Sequence, residues 1–142
     1  HVEQIKALTR KGAYDNVVFH RVIDGFMAQT GDVQFGNSAK DFNPAQAGMG
    51  GSDLPDIKAE FSQEPFVRGT VGMARAQSPD SANSQFFITF GDASFLNGQY
   101  TVVGNVESGM ELVDKIKRGD EAQNGVVSDP DKMVKVKIAA DK

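Results

Sequence analysis

Arg21, Gln29 and Gln85 are the residues whose types and spacing first suggest chemistry. Arg21 stands in the middle of "VVFHRVI" (Val17 to Ile23), a run that otherwise reads as buried strand. An arginine is seldom fully buried without a partner. Alternate residues of a strand share a face. Phe19, Arg21 and Ile23 therefore point one way, Met27 and Gln29 point together on the next strand, and Gln85 and Phe87 do so in "QFFITF". If these faces meet, they assemble one arginine, two glutamines and an apolar Phe/Met wall. That is a shallow pocket with a few polar groups, a common construction for ligand sites. The competing reading, of similar weight from pattern alone, makes each a core position with a chance polar neighbour.

Most other chemistry is excluded. The chain has no cysteine, hence no disulfide, thiol nucleophile or thiolate metal site. His1 and His20 are its two histidines, and neither HExxH nor G-x-S-x-G occurs. "GMGG" (Gly48 to Gly51) lacks the third glycine of a dinucleotide fingerprint and a following helical pattern. The acidic residues are scattered, without calcium-loop spacing. His20 could act as a general base, but a lone strand histidine is more often structural. No metal or cofactor is expected. A net charge of −4 and a pI near 5.1 argue against nucleic acid as a partner. No apolar run reaches the roughly 18 residues of a membrane span.

The elements that must position these residues can be read from periodicity. The 142 residues are most simply one domain, 1–142. "HVEQIKALTRKG" spaces Val2, Ile5 and Leu8 for a helix that Arg10, Lys11 and Gly12 would end. "VVFHRVI" and "FMAQTG" read as strands joined at Asp24-Gly25, a hairpin-turn dipeptide. Residues 33–58 are a long Gly/Asn/Pro-rich loop, for which a flexible spacer is the plain reading. "VRGTVGMARA" sets Val71, Met73 and Arg75 against Gly72, Ala74 and Ala76, a strand with one small face pressed on a neighbour. "QFFITF" and "YTVVGNV" are further strands. Ser108 to Arg118 reads as the best helix, with a Ser108/Glu111 capping box, a buried stripe of Leu112, Val113 and Ile116, and Gly119 as its C-cap. "MVKVKI" (Met133 to Ile138) reads as a half-exposed closing strand. Short strands, long loops and two helices predict a mainly β barrel or sandwich with helical caps.

Four segments together carry a specific resemblance: "FHRVIDGFMAQTGD", "GMGGS", "GTVGMARAQSPDSANSQFFITF" and "FLNGQYTVVGNVESGMELVDKI". They resemble the successive core motifs of cyclophilin-type peptidyl-prolyl cis-trans isomerases in a bacterial form, from His1 to about Gly119. The resemblance implies a closed eight-stranded antiparallel β-barrel capped by two helices. Two strands precede the first helix in that fold, and this chain starts inside that helix, so those strands are expected outside it. It implies Arg21 as the catalytic arginine, with Gln29 beside it in the catalytic set. Phe26, Met27, Phe87 and Leu96 match a pocket for the substrate proline ring, and Gln85 matches a further polar contact. Ala74, Arg75 and Ala76 match the segment that aligns the peptide backbone. Phe95 stands where many eukaryotic members carry Trp, and Tyr100 where they carry His, so only weak cyclosporin binding is expected. Arg75 replaces a frequent asparagine, with a modest effect expected because that position mainly offers backbone groups.

The activity so implied is rotation about X-Pro bonds of proline-containing peptides and unfolded proteins, assisting folding, by a monomer without cofactor. It needs no nucleophile or metal, in keeping with the exclusions above. A proline-peptide binding or chaperone module with little turnover is the alternative from another class; a lipocalin-like carrier suits the barrel but not the arginine. The "VQFGNSAKDFNPAQA" loop resembles exported proteobacterial members, which points to the periplasm rather than the cytoplasm.

Overall fold

The computed structural model describes residues 1–39, 42, 43 and 45–140. Helix α1 (Val2–Arg10) leads into β1 (Val17–Val18), β2 (Arg21–Ile23) and β3 (Met27–Thr30). Then follow β4 (Thr70–Met73), β5 (Phe86–Thr89), a 3-10 turn (Ser94–Leu96), β6 (Val102–Asn105), α2 (Met110–Val113), a second 3-10 turn (Glu121–Gln123) and β7 (Lys132–Met133). Gly12 follows α1 at φ +72°, in the left-handed region, as the helix-end reading requires.

Five strands form one antiparallel sheet in the order β2-β3-β5-β4-β6, and β1 pairs with β7 in a separate ribbon. The architecture is mainly β with two helices, but the described strands do not close into a barrel. The long strand expected over 17–23 is broken. Phe19 and His20 lie between β1 and β2, their backbone bonded to Asp131 and Val127 rather than to a continuing ladder. The break shifts the phase of alternation. Phe19 therefore packs with Val22, Ala28, Phe90 and Val127, on the face opposite Arg21 and Ile23, contrary to the expected sharing.

The hairpin between β2 and β3 turns through Asp24, Gly25 and Phe26, a three-residue loop rather than a two-residue one. Phe26 N–H donates to the Ile23 carbonyl, and Gly25 sits at φ +75°. One face of the sheet buries the Phe19–Val22–Phe90 cluster, against which Val113 and Ile116 pack. The other buries Met27, Phe66, Phe87, Ala93 and Leu96. Gly72 makes that second face possible: a Cβ there would lie 2.6 Å from a carbon of Phe66 and 2.7 Å from one of Phe87. The small face read from the sequence is the space for these two stacked rings, whose centroids are 5.7 Å apart.

The helix expected over 108–118 shrinks to the single turn of α2. Its N-cap is Gly109 at φ +83°, and no side chain caps it. Ser108 thus stands one residue too early for a capping box. Leu112 is exposed, while Met110, Val113 and Ile116 supply the packing. Gly119 is no left-handed cap; its N–H donates to the Val22 carbonyl, and a Cβ would run into the Gly125 carbonyl. Of the closing strand expected over 133–138 only Met133 pairs, in the ribbon of Lys132–Met133 with β1; farther on, the Val136 N–H donates to the Asp15 side chain instead of to a neighbouring strand.

In the 33–58 loop, Lys40, Asp41 and Pro44 lie outside the described residues, and the rest is more anchored than a spacer would be. The carboxylate of fully buried Asp32 accepts four main-chain N–H bonds, from Gln34 and Phe35 on one oxygen and from Gly48 and Gly50 on the other. Asn83 holds the next stretch through Ser52 and the Leu54 carbonyl.

Candidate functional site

The register of the β2–β3 hairpin sets Arg21 directly opposite Gln29, and the β3–β5 register sets Gln29 opposite Phe87. Arg21 Nη1 donates to Gln29 Oε1 at 3.1 Å, and Gln29 Nε2 donates to Gln85 Oε1 at 2.9 Å. Gln85 Nε2 in turn donates to the carbonyls of Gly48 and Gly50, both at 2.9 Å. The relay runs one way, each amide accepting from the arginine side and donating onward, so that it ends on the loop held by Asp32. It is a connected polar network at the border of an apolar core, and each carboxamide assignment is dictated by its neighbours.

The other flank of the guanidinium belongs to Asn124, a residue that the sequence reading does not pick out. Arg21 Nε donates to the Asn124 main-chain carbonyl and Nη2 donates to its Oδ1, both at 3.0 Å. Of the five N–H donors of a guanidinium, three are used by Gln29 and Asn124, which leaves one on each terminal nitrogen. Asn124 sits at φ +60° and is followed by Gly125 at φ +83°. The Asn-Gly dipeptide, a left-handed turn signal, is the clue that could have located it. Burial pulls the half-buried Arg21 below its ordinary value, with Tyr100 acting in the opposite direction. An arginine still keeps its charge in such a setting.

Beside this cation is an open cavity of about 410 Å³. It brings together Arg21, Gln29, Phe26, Met27, Ala74, Arg75, Phe87, Phe95, Leu96 and Tyr100 of the expected set, and adds Gln99. Met27, Phe87 and Leu96 are buried, while Phe95 stands exposed at the rim with its ring 5.4 Å from that of Phe26. Tyr100 meets Phe87 edge-on. Ala76 and Gln85 line a neighbouring cavity of about 480 Å³ instead, which shares Gln29, Ala74 and Arg75 with the first.

Arg75 has more to do than its backbone alone. Its guanidinium lies 4.4 Å over the Tyr100 ring and donates to the carbonyls of Ala76, Gln77 and Gln99. It ties the 74–77 segment to the 95–100 segment across the cavity mouth. Among the described residues, its own main-chain N–H and C=O have no hydrogen-bond partner.

His20 is not at the cation's working edge. It is buried, both ring nitrogens lack a hydrogen-bond partner, and burial pushes the imidazole down to about 4, with Asp32 opposing and Arg21 adding to the effect. A neutral, enclosed imidazole of this kind suits the structural reading. What the site offers chemically is a fixed cation with two free N–H groups beside a wall of rings, with no nucleophile in the polar relay.

Known proteins place this chain among relatives. The sequence matches the family "Cyclophilin type peptidyl-prolyl cis-trans isomerase/CLD" over residues 1–138. It is 69% identical over 141 residues to a "Probable peptidyl-prolyl cis-trans isomerase" of Brucella abortus (strain 2308), covering 99% of this chain and 72% of that protein. Peptidyl-prolyl cis-trans isomerase B of Escherichia coli (strain K12) is 37% identical over 138 residues, covering 84% of this chain and 72% of its own. In fold, a cyclophilin from Hirschia baltica superposes with a TM-score of 0.80 at 24% identity, over 100% of this chain and 66% of that one. A Cryptosporidium parvum cyclophilin type peptidyl-prolyl cis-trans isomerase, crystallised in the presence of dipeptide Ala-Pro, does so with a TM-score of 0.78 at 28% identity, over 96% of this chain and 82% of that one.

Proposed function

The chain belongs to the cyclophilin-type peptidyl-prolyl cis-trans isomerase family, and from that premise we propose that Arg21 and the cavity beside it are where X-Pro bonds of protein substrates are turned. The single observation that carries the assignment is the three-point fixation of the Arg21 guanidinium at the rim of an apolar cavity.

The barrier to X-Pro rotation is about 18–20 kcal/mol, the cost of breaking amide conjugation, and the uncatalysed change takes tens to hundreds of seconds. Each tenfold acceleration requires about 1.4 kcal/mol of preferential transition-state binding. As the bond twists, the amide nitrogen loses conjugation and its lone pair becomes a hydrogen-bond acceptor. The two free N–H groups of Arg21 are held to meet that nitrogen and the proline carbonyl. A donor that is already oriented needs no reorganisation at that moment. Phe26, Met27, Phe87 and Leu96 hold the ring, and the unpaired main-chain groups of Arg75 pair the extended peptide backbone. Gln29 and Gln85 keep the guanidinium in place.

Exchange between the cis and trans signals of a proline peptide, followed by NMR, tests this directly. Arg21→Ala is expected to lower kcat/KM by at least a hundredfold with the circular dichroism unchanged. Arg21→Lys is expected to be nearly as damaging, because an ammonium cannot serve Gln29, Asn124 and substrate at once. Unchanged exchange in both variants would remove Arg21 from the mechanism. Binding of the peptide by the wild type without exchange would favour a binding or chaperone module instead.

The closed eight-stranded barrel of the family belongs to the same proposal. Its support is that β6 carries no further strand on its outer side among the described residues, an edge that proteins normally cover, and that the chain spans 72% of the Brucella relative. A location in the periplasm, rather than the cytoplasm, is proposed on the likeness of the 33–47 loop to those of exported relatives, and a monomer on the family resemblance. Weak cyclosporin binding is proposed on Phe95 and Tyr100.

A further inference from the structure

We infer that Asn124 is a positioning residue for Arg21, a clamp that fixes the guanidinium without neutralising it. The inference rests on the proposed role of Arg21. A guanidinium is ordinarily held along one edge by the two oxygens of a carboxylate, in a pair of parallel N–H···O bonds. Asn124 reproduces that two-oxygen acceptor from a single neutral residue. Its main-chain carbonyl takes Nε and its side-chain Oδ1 takes Nη2, both at 3.0 Å. Gln29, also neutral, takes Nη1 at 3.1 Å.

The absence of charge in this shell has a consequence. A carboxylate in the same place would orient Arg21 equally well, but its field at the reacting amide would oppose that of the guanidinium. A cation that works by electrostatic stabilisation needs orientation from groups that leave its charge uncompensated.

The segment that carries Asn124 is itself docked onto the β2 edge. Gly119 N–H donates to the Val22 carbonyl, Val22 N–H donates to the Gly125 carbonyl, and Val127 N–H donates to the His20 carbonyl. Asp120 Oδ1 accepts from Ala122 N–H to open the 3-10 turn that ends at Asn124. Asn124 needs φ +60°, which Asn, Asp and Gly tolerate best. Gly125 accepts no side chain, since a Cβ would lie 2.6 Å from Ile23 Cγ1. The chain is thus bent, capped and packed so that two oxygens of one residue face the same edge of Arg21.

Two substitutions suited to the same backbone separate fixation from charge. Asn124→Asp keeps both oxygens and adds a charge; Asn124→Gly keeps the main-chain oxygen alone. With a proline peptide, Asn124→Asp is expected to lower kcat at least tenfold while KM changes less than twofold, at a Tm within a few degrees of wild type. Asn124→Gly is expected to lower kcat about threefold. In an Arg21→Ala background both are expected to be silent, which a general loosening of the fold would not produce. Wild-type kcat in Asn124→Asp, or an equal loss with and without Arg21, would overturn the inference. If Arg21→Ala itself leaves turnover unchanged, the proposed role of Arg21 fails; if Arg21→Ala is inactive and both Asn124 variants are normal, the clamp alone fails.

Discussion

Gly72 and Phe87 face each other across β4 and β5, and the missing side chain of the first is the space occupied by the ring of the second. Phe87 is buried between Phe66, stacked at 5.7 Å, and Tyr100, edge-on at 5.9 Å. The floor of the cavity is therefore set by a residue that contributes no atoms to it.

Gly72→Ala is expected to push Phe87 toward the cavity, because both nearest neighbours are ring carbons of packed side chains rather than flexible ends. Overpacking of this kind costs about 1–3 kcal/mol. Urea denaturation should show that loss. In peptide kinetics KM should rise more than kcat falls, since the ring-holding wall is displaced and Arg21 is not. Wild-type stability would show that β4 can shift away freely.

The pH dependence of stability should carry the signature of His20. Its folded value is lowered from 6.5 to about 4, chiefly by burial. Between those values the unfolded chain binds a proton that the folded chain does not, so stability falls as pH drops from about 6.5 and levels off below about 4. The full loss is roughly 3 kcal/mol, since stability changes by about 1.4 kcal/mol for each pH unit crossed between the two values. His20→Gln, which does not titrate, is expected to flatten Tm against pH across this window. The same slope in the variant would assign the dependence to other groups.

Asp32→Asn should loosen the site from a distance. One of the two Asp32 oxygens becomes an NH2 and confronts either the N–H groups of Gln34 and Phe35 or those of Gly48 and Gly50. Leaving such donors unsatisfied costs about 1–3 kcal/mol each. Because the Gly48 and Gly50 carbonyls hold Gln85, the disturbance should reach the polar relay. Hydrogen exchange should quicken at Gly48 and Gly50, and a smaller decrease in kcat should follow through Gln85, Gln29 and Arg21. Unchanged exchange at both glycines would show that the loop is held without Asp32.

How much of this could be read beforehand differs from element to element. The β2–β3 hairpin and β5 were legible because alternation and turn residues are local properties. The small face of β4 was legible for the same reason, although which rings filled it was not. A two-residue turn at Asp24-Gly25, however, would set Arg21 opposite Ala28; the third loop residue, Phe26, is what brings Gln29 opposite Arg21. A local pattern misleads where it competes with tertiary demands. Ser108 and Glu111 have capping-box spacing, yet Gly109 takes the cap in a left-handed conformation and the helix stops at one turn. Phe19 alternates correctly with Arg21 in the sequence, yet the bond from Phe19 N–H to the Asp131 carbonyl breaks the strand and turns that ring to the opposite core.

By themselves the residues determine the chemistry on offer: a cation, two carboxamides and an apolar wall, in short strands, without thiols. They also carry, in four ordered motifs, the family to which the chain belongs. Only the tertiary structure decides how the cation is held. Asn124 lies 103 positions from Arg21, and its neutral two-oxygen grip exists only because the 119–127 segment docks on the edge of β2. Periodicity reports which face of its own element a residue occupies; it says nothing about which distant loop will cross that face, because docking is set by long-range backbone bonds and close packing at Gly119 and Gly125.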